Sequence, residues 1–166
     1  CGAIAAQSPV MAAVRAHATR GGYVIGICNG FQVLTESGLL PGALMRNAGL
    51  KFVCKTIEMT VETSDSAFTR GWNTGTVLRI PVAHHDGNYT IDADGLARLR
   101  GENRVAFRYL VNPNGATDDI AGVLSVNRRV LGLMPHPERA ADARLGLTDG
   151  AVMFRSLTDT LAPAGV

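Results

Sequence analysis

Two stretches of the 166-residue chain carry side chains whose types and spacing could do covalent chemistry. The first is Gly26-Ile27-Cys28-Asn29-Gly30, where an apolar run from Tyr23 stops at Cys28 and a helix-like run begins beyond Gly30. Glycines bracketing a cysteine suit a sharp strand-to-helix turn, because small neighbours let the nucleophile stand clear of the backbone. A helix starting near Asn29 turns unpaired N–H groups and its positive end toward the sulfur, which favours thiolate. The same pentapeptide also fits a buried cysteine in a strand that precedes a glycine, since free cysteine packs as a small hydrophobe.

The second stretch is Gly132-Leu-Met-Pro-His-Pro-Glu-Arg139, which sets His136 just after a short apolar strand and Glu138 two positions on. A cysteine nucleophile needs a base to take its proton and a third group to orient that base. Pro135 and Pro137 disfavour helix around His136, and in an extended segment residues two apart share a face, so the imidazole and the carboxylate are expected on one side. His84-His85-Asp86-Gly87-Asn88-Tyr89 is the third polar cluster. Adjacent histidines of an extended chain point to opposite sides and no cysteine stands at ligand spacing, so no metal site is expected; a polar turn remains open.

The elements that must position these groups are readable from periodicity. Tyr23 to Ile27 is a continuous apolar strand of the kind buried on both faces of a parallel sheet. Ser8-Pro9 opens a preceding helix, with the serine capping and the proline at the first helical position, and Gly21-Gly22 ends it. Gly38 and Pro41-Gly42 stop the helix after Cys28. Phe52 to Glu62 alternates as a half-solvated strand with Cys54 on its second face, read as a packing residue, and Val77 to Val82 is another strand. A short helix over 93–100, a strand over 105–110, a turn over 112–115 and two strands around Asn127-Arg128 in a hairpin follow, the last delivering His136. Asp149 to Leu161 is an amphipathic helix, and Met45, Met134 and Met153 are read as core.

Composition narrows the function classes. The chain is 46% hydrophobic with a formal net charge of +2, which suits one compact unit over 1–166 and gives no electrostatic case for nucleic acid or a membrane surface. Three cysteines without metal spacing leave one unpaired under any scheme, as expected in a reducing cytoplasm. No apolar stretch approaches a membrane span.

The cysteine elbow followed by Pro-His-Pro-Glu resembles the class I glutamine amidotransferases. Within that family the chain is most similar to the glutaminase subunits of phosphoribosylformylglycinamidine synthases of purine biosynthesis, through Gly26 to Leu34, Leu39 to Leu44, Arg46 to Phe52, Pro81 to Tyr89, Val105 to Tyr109 and Gly132 to Ala140. The resemblance implies an α/β, flavodoxin-like fold, a three-layer and mostly parallel sheet flanked by helices. It implies a Cys28, His136, Glu138 triad, an oxyanion donor in the Asn29 N–H, and substrate contacts from Gln32, Asn47, His84 and Asp86, with His85 standing where the family usually has glycine. It further implies hydrolysis of L-glutamine, with no metal or other cofactor in this chain and ammonia passed to an ATP- and Mg-dependent synthetase subunit, joined in many bacteria by a small third subunit.

The chain opens on Cys1 rather than methionine. By the same resemblance, a counterpart of Cys1 to Ala5 follows an opening strand, further sheet elements and a glycine-rich loop that supplies a second oxyanion N–H. On this reading residues 1–166 are an N-terminally truncated domain that keeps the Asn29 half of the oxyanion hole, and loss of one such donor costs about 2.7–4 kcal/mol of transition-state stabilisation. Two other functions fit the same residues: a catalytically silent assembly module, and a cysteine hydrolase of peptides or esters built on the same elbow.

Overall fold

The computed structural model describes residues 2–162. Helix α1 (Gly2–Ala6) precedes α2 (Val10–Thr19), strand β1 (Val24–Ile27) and α3 (Asn29–Glu36). Strands β2 (Ala43–Met45), β3 (Val53–Val61), β4 (Val77–His84) and β5 (Asn88–Thr90) lead to α4 (Ala93–Gly101). Then come β6 (Val105–Tyr109), β7 (Ile120–Leu124), β8 (Val130–Leu133) and α5 (Ala151–Leu161). Helix α1 and the β2–β5 pair have no counterpart in the sequence reading. In α2 the roles shift by one residue: Pro9 takes the capping position and Ser8 offers its carbonyl, which accepts the Met11 N–H at 3.0 Å.

Six strands form one sheet in the order β1-β8-β7-β6-β3-β4. The α/β expectation holds, but the sheet is mixed and not mostly parallel. β1 pairs β8 parallel, whereas β8–β7, β7–β6, β6–β3 and β3–β4 are all antiparallel. For β7–β8 the connection accounts for this. β7 and β8 are joined by a tight turn in which Arg128 takes φ 58° and donates its N–H to Ser125 O at 2.9 Å, and tight returns produce antiparallel neighbours. A parallel pair needs a long crossover, which β1 and β8 have.

Helices cover both faces. Gly26 and Gly132 let α3 sit directly on the sheet: a Cβ at Gly132 stands 2.2 Å from Phe31 Cδ2, and one at Gly26 stands 2.5 Å from Leu34 Cδ1. Side chains alternate along a strand, so Leu133 faces the other way, toward Phe107, whose ring meets Trp72 edge-on at 6.2 Å. On that side α5 closes the layer, with Val152 and Ser156 against Gly71. Of the three methionines assigned to the core, Met134 and Met153 are buried, while Met45 is exposed. Cys54 is exposed as well, so it does not pack.

The sheet does not end flat. β4 lies at the opposite edge from β1, yet its Ala83 carbonyl comes within 3.8 Å of Cys28 Sγ and its Pro81 carbonyl accepts the His136 N–H at 2.8 Å. The sheet therefore curls until its two edges meet at the end where β1 and β8 finish. Register shifts between β6 and β7 at Val105, Phe107 and Arg108 supply local bend and extra twist. Proline is tolerated in β4 because that strand is an edge, and its carbonyl remains available to bind the His136 segment. Among the described residues no helix is long and apolar enough to cross a membrane.

Candidate active site

Cys28 terminates β1 and opens α3 with φ 53° and ψ −107°, a backbone conformation few non-glycine residues adopt. The strain is held in place from both sides. The Cys28 N–H extends the β1–β8 ladder to Leu133 O at 2.9 Å, and its carbonyl starts α3 by accepting the Phe31 N–H at 3.0 Å. Close approach of strand and helix requires Gly26, where a Cβ also stands 2.7 Å from the Gly30 backbone. Gly30, by contrast, has open space around it, so only one of the two bracketing glycines is demanded by packing.

The same parallel pair carries the second group. Three residues past the end of β8, His136 is buried and its Nδ1 lies 2.6 Å from Glu138 Oε1. The segment is not extended as the prolines suggested: Pro137–Ala140 forms a 3-10 turn directly after His136, and proline's fixed φ suits the first position of such a turn. The turn, rather than a shared strand face, brings carboxylate and imidazole together. With Nδ1 committed to Glu138, Nε2 is left buried and without a hydrogen-bond partner among the described residues.

Cys28 and His136 line one cavity of about 400 Å³, together with Ile27, Asn29, Gln32, Phe52, Ala83, His84, His85, Asp86 and Arg139. This volume falls in the range of small-ligand sites, about 300–1,000 Å³. Burial pushes the Cys28 thiol above its ordinary pKa, against smaller downward pulls from the Asn29 N–H at the sulfur and the Arg139 guanidinium. The expectation of a net lowering by the helix end is therefore not met: desolvation outweighs the single N–H.

The remaining sequence-derived residues divide into wall and support. Gln32 and Asp86 are joined, the Gln32 amide donating to the Asp86 carbonyl at 2.9 Å, and both face the cavity. Asn47 is buried at 1% exposure beneath the 84–87 loop. Its Nδ2 donates to Lys51 O and His84 O at 2.8 and 3.0 Å, and its Oδ1 accepts from Gly87 N and His84 Nδ1, each at 3.0 Å. Asn47 thus stands behind the wall and does not line the cavity. His84 lines it from the buried side, and burial, reinforced by the nearby His136, lowers its pKa to about 4. His85 takes an ordinary backbone conformation, and its ring stands 6.4 Å from that of Phe52.

Phe52, Ala83 and Arg139 are cavity residues that the sequence reading did not assign to the site. Arg139 follows the Pro-His-Pro-Glu run directly, which was the one available signal. Ala83 enters only because the sheet curls, and Phe52 lies at the foot of a strand whose alternation said nothing about its end.

Residues 2–145 match the CobB/CobQ-like glutamine amidotransferase domain. The phosphoribosylformylglycinamidine synthase subunit PurQ of Ruegeria pomeroyi is 66% identical over 164 residues, covering 99% of this chain and 74% of the relative. The PurQ subunit of Roseobacter denitrificans is 68% identical over 162 residues, covering 98% and 73%. Among solved structures, PurLQS from Thermotoga maritima aligns with a TM-score of 0.88 at 41% identity, over 97% of this chain and 72% of that one. A mixed six-stranded sheet, a cysteine elbow at the end of its parallel pair and these likenesses agree, and the chain belongs to the CobB/CobQ-like glutamine amidotransferase family, on the branch of the PurQ subunits.

Proposed function

We propose that this chain hydrolyses L-glutamine to glutamate and ammonia through Cys28, His136 and Glu138, as the glutaminase subunit of a phosphoribosylformylglycinamidine synthase. The observation that carries the reading is a buried imidazole whose Nδ1 is held by a carboxylate and whose unpartnered Nε2 shares a cavity with a cysteine at a strained elbow. His136 takes the Cys28 proton through Nε2, and Sγ attacks the side-chain carboxamide carbon of glutamine. The tetrahedral oxyanion is met by the Asn29 N–H, at the first residue of α3. The imidazolium then protonates the departing ammonia. Water, deprotonated by the same ring, hydrolyses the glutamyl thioester, and Glu138 keeps the Nδ1–H tautomer throughout. Gln32, His84 and Asp86 form the wall against which the substrate lies, with Asn47 supporting it from behind.

Ammonia released into water is mostly protonated and useless as a nucleophile, so hydrolysis is useful only beside its consumer. The names of the relatives, subunits of a synthase, and of the Thermotoga maritima assembly support a partner synthetase subunit as that consumer; its dependence on ATP and Mg, a small third subunit beside it and a cytoplasmic setting belong to the same proposal. The test is covalent labelling. A diazoketone analogue of glutamine, added with the synthetase subunit present, is expected to modify Cys28 stoichiometrically by peptide mass spectrometry and to spare Cys28→Ser. No modification of the assembled complex selects a silent assembly module; hydrolysis of esters or peptides but not of glutamine selects a different hydrolase.

A further inference from the structure

Among the described residues lining the Cys28 cavity, Arg139 is the one Lys or Arg and Asp86 the one Asp or Glu. Both stand at its open end, with side chains 53% and 51% exposed, against 9% for His136. Neither is engaged at full hydrogen-bond distance by another charge. Arg139 Nε is 3.6 Å from Glu138 Oε1, an oxygen already committed to His136 at 2.6 Å, and Asp86 Oδ1 is 3.7 Å from Arg46 Nε. Both separations exceed the roughly 2.7–3.2 Å of a formed bond, so the donors and acceptors of the two groups retain capacity for a ligand.

A molecule whose amide must reach the buried end, at Cys28, leaves its other end at the mouth. For a free amino acid that end is a carboxylate and an ammonium, and the mouth offers a guanidinium and a carboxylate. A guanidinium fork matches a carboxylate in two parallel N–H···O bonds, which makes arginine suited to this kind of recognition. We propose that Arg139 is a specificity residue that binds the α-carboxylate of the amino-acid substrate, with Asp86 taking the α-ammonium, so that the site accepts free glutamine and rejects glutamine whose carboxyl is amidated or in a peptide bond. This rests on the glutaminase reading above. The rival role is purely internal: Arg139 next to Glu138 would steady the triad and touch no substrate.

The two roles separate when the carboxylate is removed from the ligand instead of the protein. Steady-state hydrolysis by the assembled complex is compared for L-glutamine and L-glutamine α-amide, in the unsubstituted enzyme, Arg139→Gln and Arg139→Lys. Loss of a charge-assisted contact predicts a preference for free glutamine of roughly tenfold to a hundredfold in kcat/KM. Arg139→Gln is expected to lose most of that preference, through a KM that rises for glutamine and not for the α-amide, on top of any kcat change that the two substrates share through the Cys28 thiol. Arg139→Lys, which keeps the charge without the fork, is expected to fall between. Equal turnover of the two substrates by the unsubstituted complex overturns the proposal without any variant. An equal loss on both substrates in Arg139→Gln, carried by kcat, overturns it in favour of triad support. Turnover of neither substrate, with Cys28 inert to the diazoketone, overturns the glutaminase reading itself and the proposal with it.

Discussion

Glu138 Oε1 lies 2.6 Å from His136 Nδ1, and the opposite ring nitrogen is buried with no partner among the described residues. An imidazole held this way has its tautomer chosen for it: Nδ1 carries the proton and Nε2 is the free base. Glu138→Gln keeps the shape but can present an N–H to Nδ1 and favour the wrong tautomer. It is expected to lower kcat by roughly 10²–10⁴-fold with little change in KM, because the carboxylate acts on the ring and not on the substrate. Stopped ammonia-release assays on the assembled complex check this, and a loss confined to KM would contradict it.

The Cys28 thiol sits above its ordinary pKa because burial outweighs the Asn29 N–H and the Arg139 charge. A raised thiol is mostly protonated at neutral pH, so reactivity toward an uncharged alkylating reagent is expected to climb with pH, with a midpoint above that of a free cysteine. Arg139→Gln removes one of the downward pulls and is expected to push the midpoint higher still. Iodoacetamide rates read peptide by peptide across pH 6–10 (roughly the titration range of thiols) make the measurement, with exposed Cys54 as a control for access. A midpoint below the ordinary thiol range would mean that the helix end dominates after all.

What was legible in the sequence was what adjacent residues encode together. β1, Cys28 and α3 follow one another directly, so an apolar run, a glycine and a helix-period run suffice to place Cys28 at the elbow. His136 and Glu138 are equally local, although their contact is made by a 3-10 turn where extended backbone was expected. What stayed hidden depends on the path of the whole sheet. Nothing in Pro81-Val82-Ala83 announces that this edge strand returns to the far edge and puts its carbonyls against Cys28 and His136. Nor does the composition of Arg46-Asn47 say that the asparagine turns inward. Direction of a loop side chain is a tertiary fact, set here by the carbonyls of Lys51 and His84 that need a donor.

Asn47 makes four hydrogen bonds from a buried position and lines no part of the cavity. Asn47→Ala leaves the His84 and Lys51 carbonyls and the Gly87 N–H without their partner. At about 0.5–1.5 kcal/mol per bond, and with buried groups orphaned, a stability loss of about 2–4 kcal/mol is expected. Denaturant unfolding measures that loss. The 84–87 loop also carries Asp86, so KM for glutamine is expected to rise in the same variant. Unchanged stability with a raised KM would instead make Asn47 a direct ligand.

His84 is neutral in the folded chain, since burial and then His136 lower its pKa from 6.5 to about 4. Its bonding agrees: Nδ1 donates to Asn47 Oδ1 at 3.0 Å and Nε2 faces the Asn114 amide at 3.4 Å, so a second ring proton would oppose an N–H. Between pH 6.5 and about 4 the unfolded chain binds a proton that the folded one refuses, so stability falls as pH falls through that window and is fully present above it. The shift sets an upper bound of about 3 kcal/mol. Urea midpoints at pH 7 and 4.5 (roughly the two ends of the window) are expected to differ accordingly, and His84→Asn, which can keep a donor toward Asn47, is expected to flatten the difference while lowering the neutral-pH midpoint. An unaltered slope in that variant would assign the acid sensitivity elsewhere.

Gly26 and Gly30 look equivalent in the sequence, one on each side of Cys28, and the structure makes them unequal. A methyl at Gly26 meets Leu34 Cδ1 at 2.5 Å and the Gly30 backbone at 2.7 Å, and the backbone of a helix seated on the sheet has nowhere to go. Gly26→Ala is therefore expected to cost about 1–3 kcal/mol or more by overpacking, and to displace the elbow so that diazoketone labelling of Cys28 slows. A methyl at Gly30 meets nothing within 4 Å, and the position is helical, where alanine is favoured over glycine by about 0.5–1 kcal/mol. Gly30→Ala is expected to be neutral or stabilising in the isolated chain. If the same substitution abolishes labelling in the assembled complex while leaving thermal unfolding untouched, the open space above Gly30 is where substrate or the synthetase subunit makes its approach, and the glycine serves that contact and not the fold.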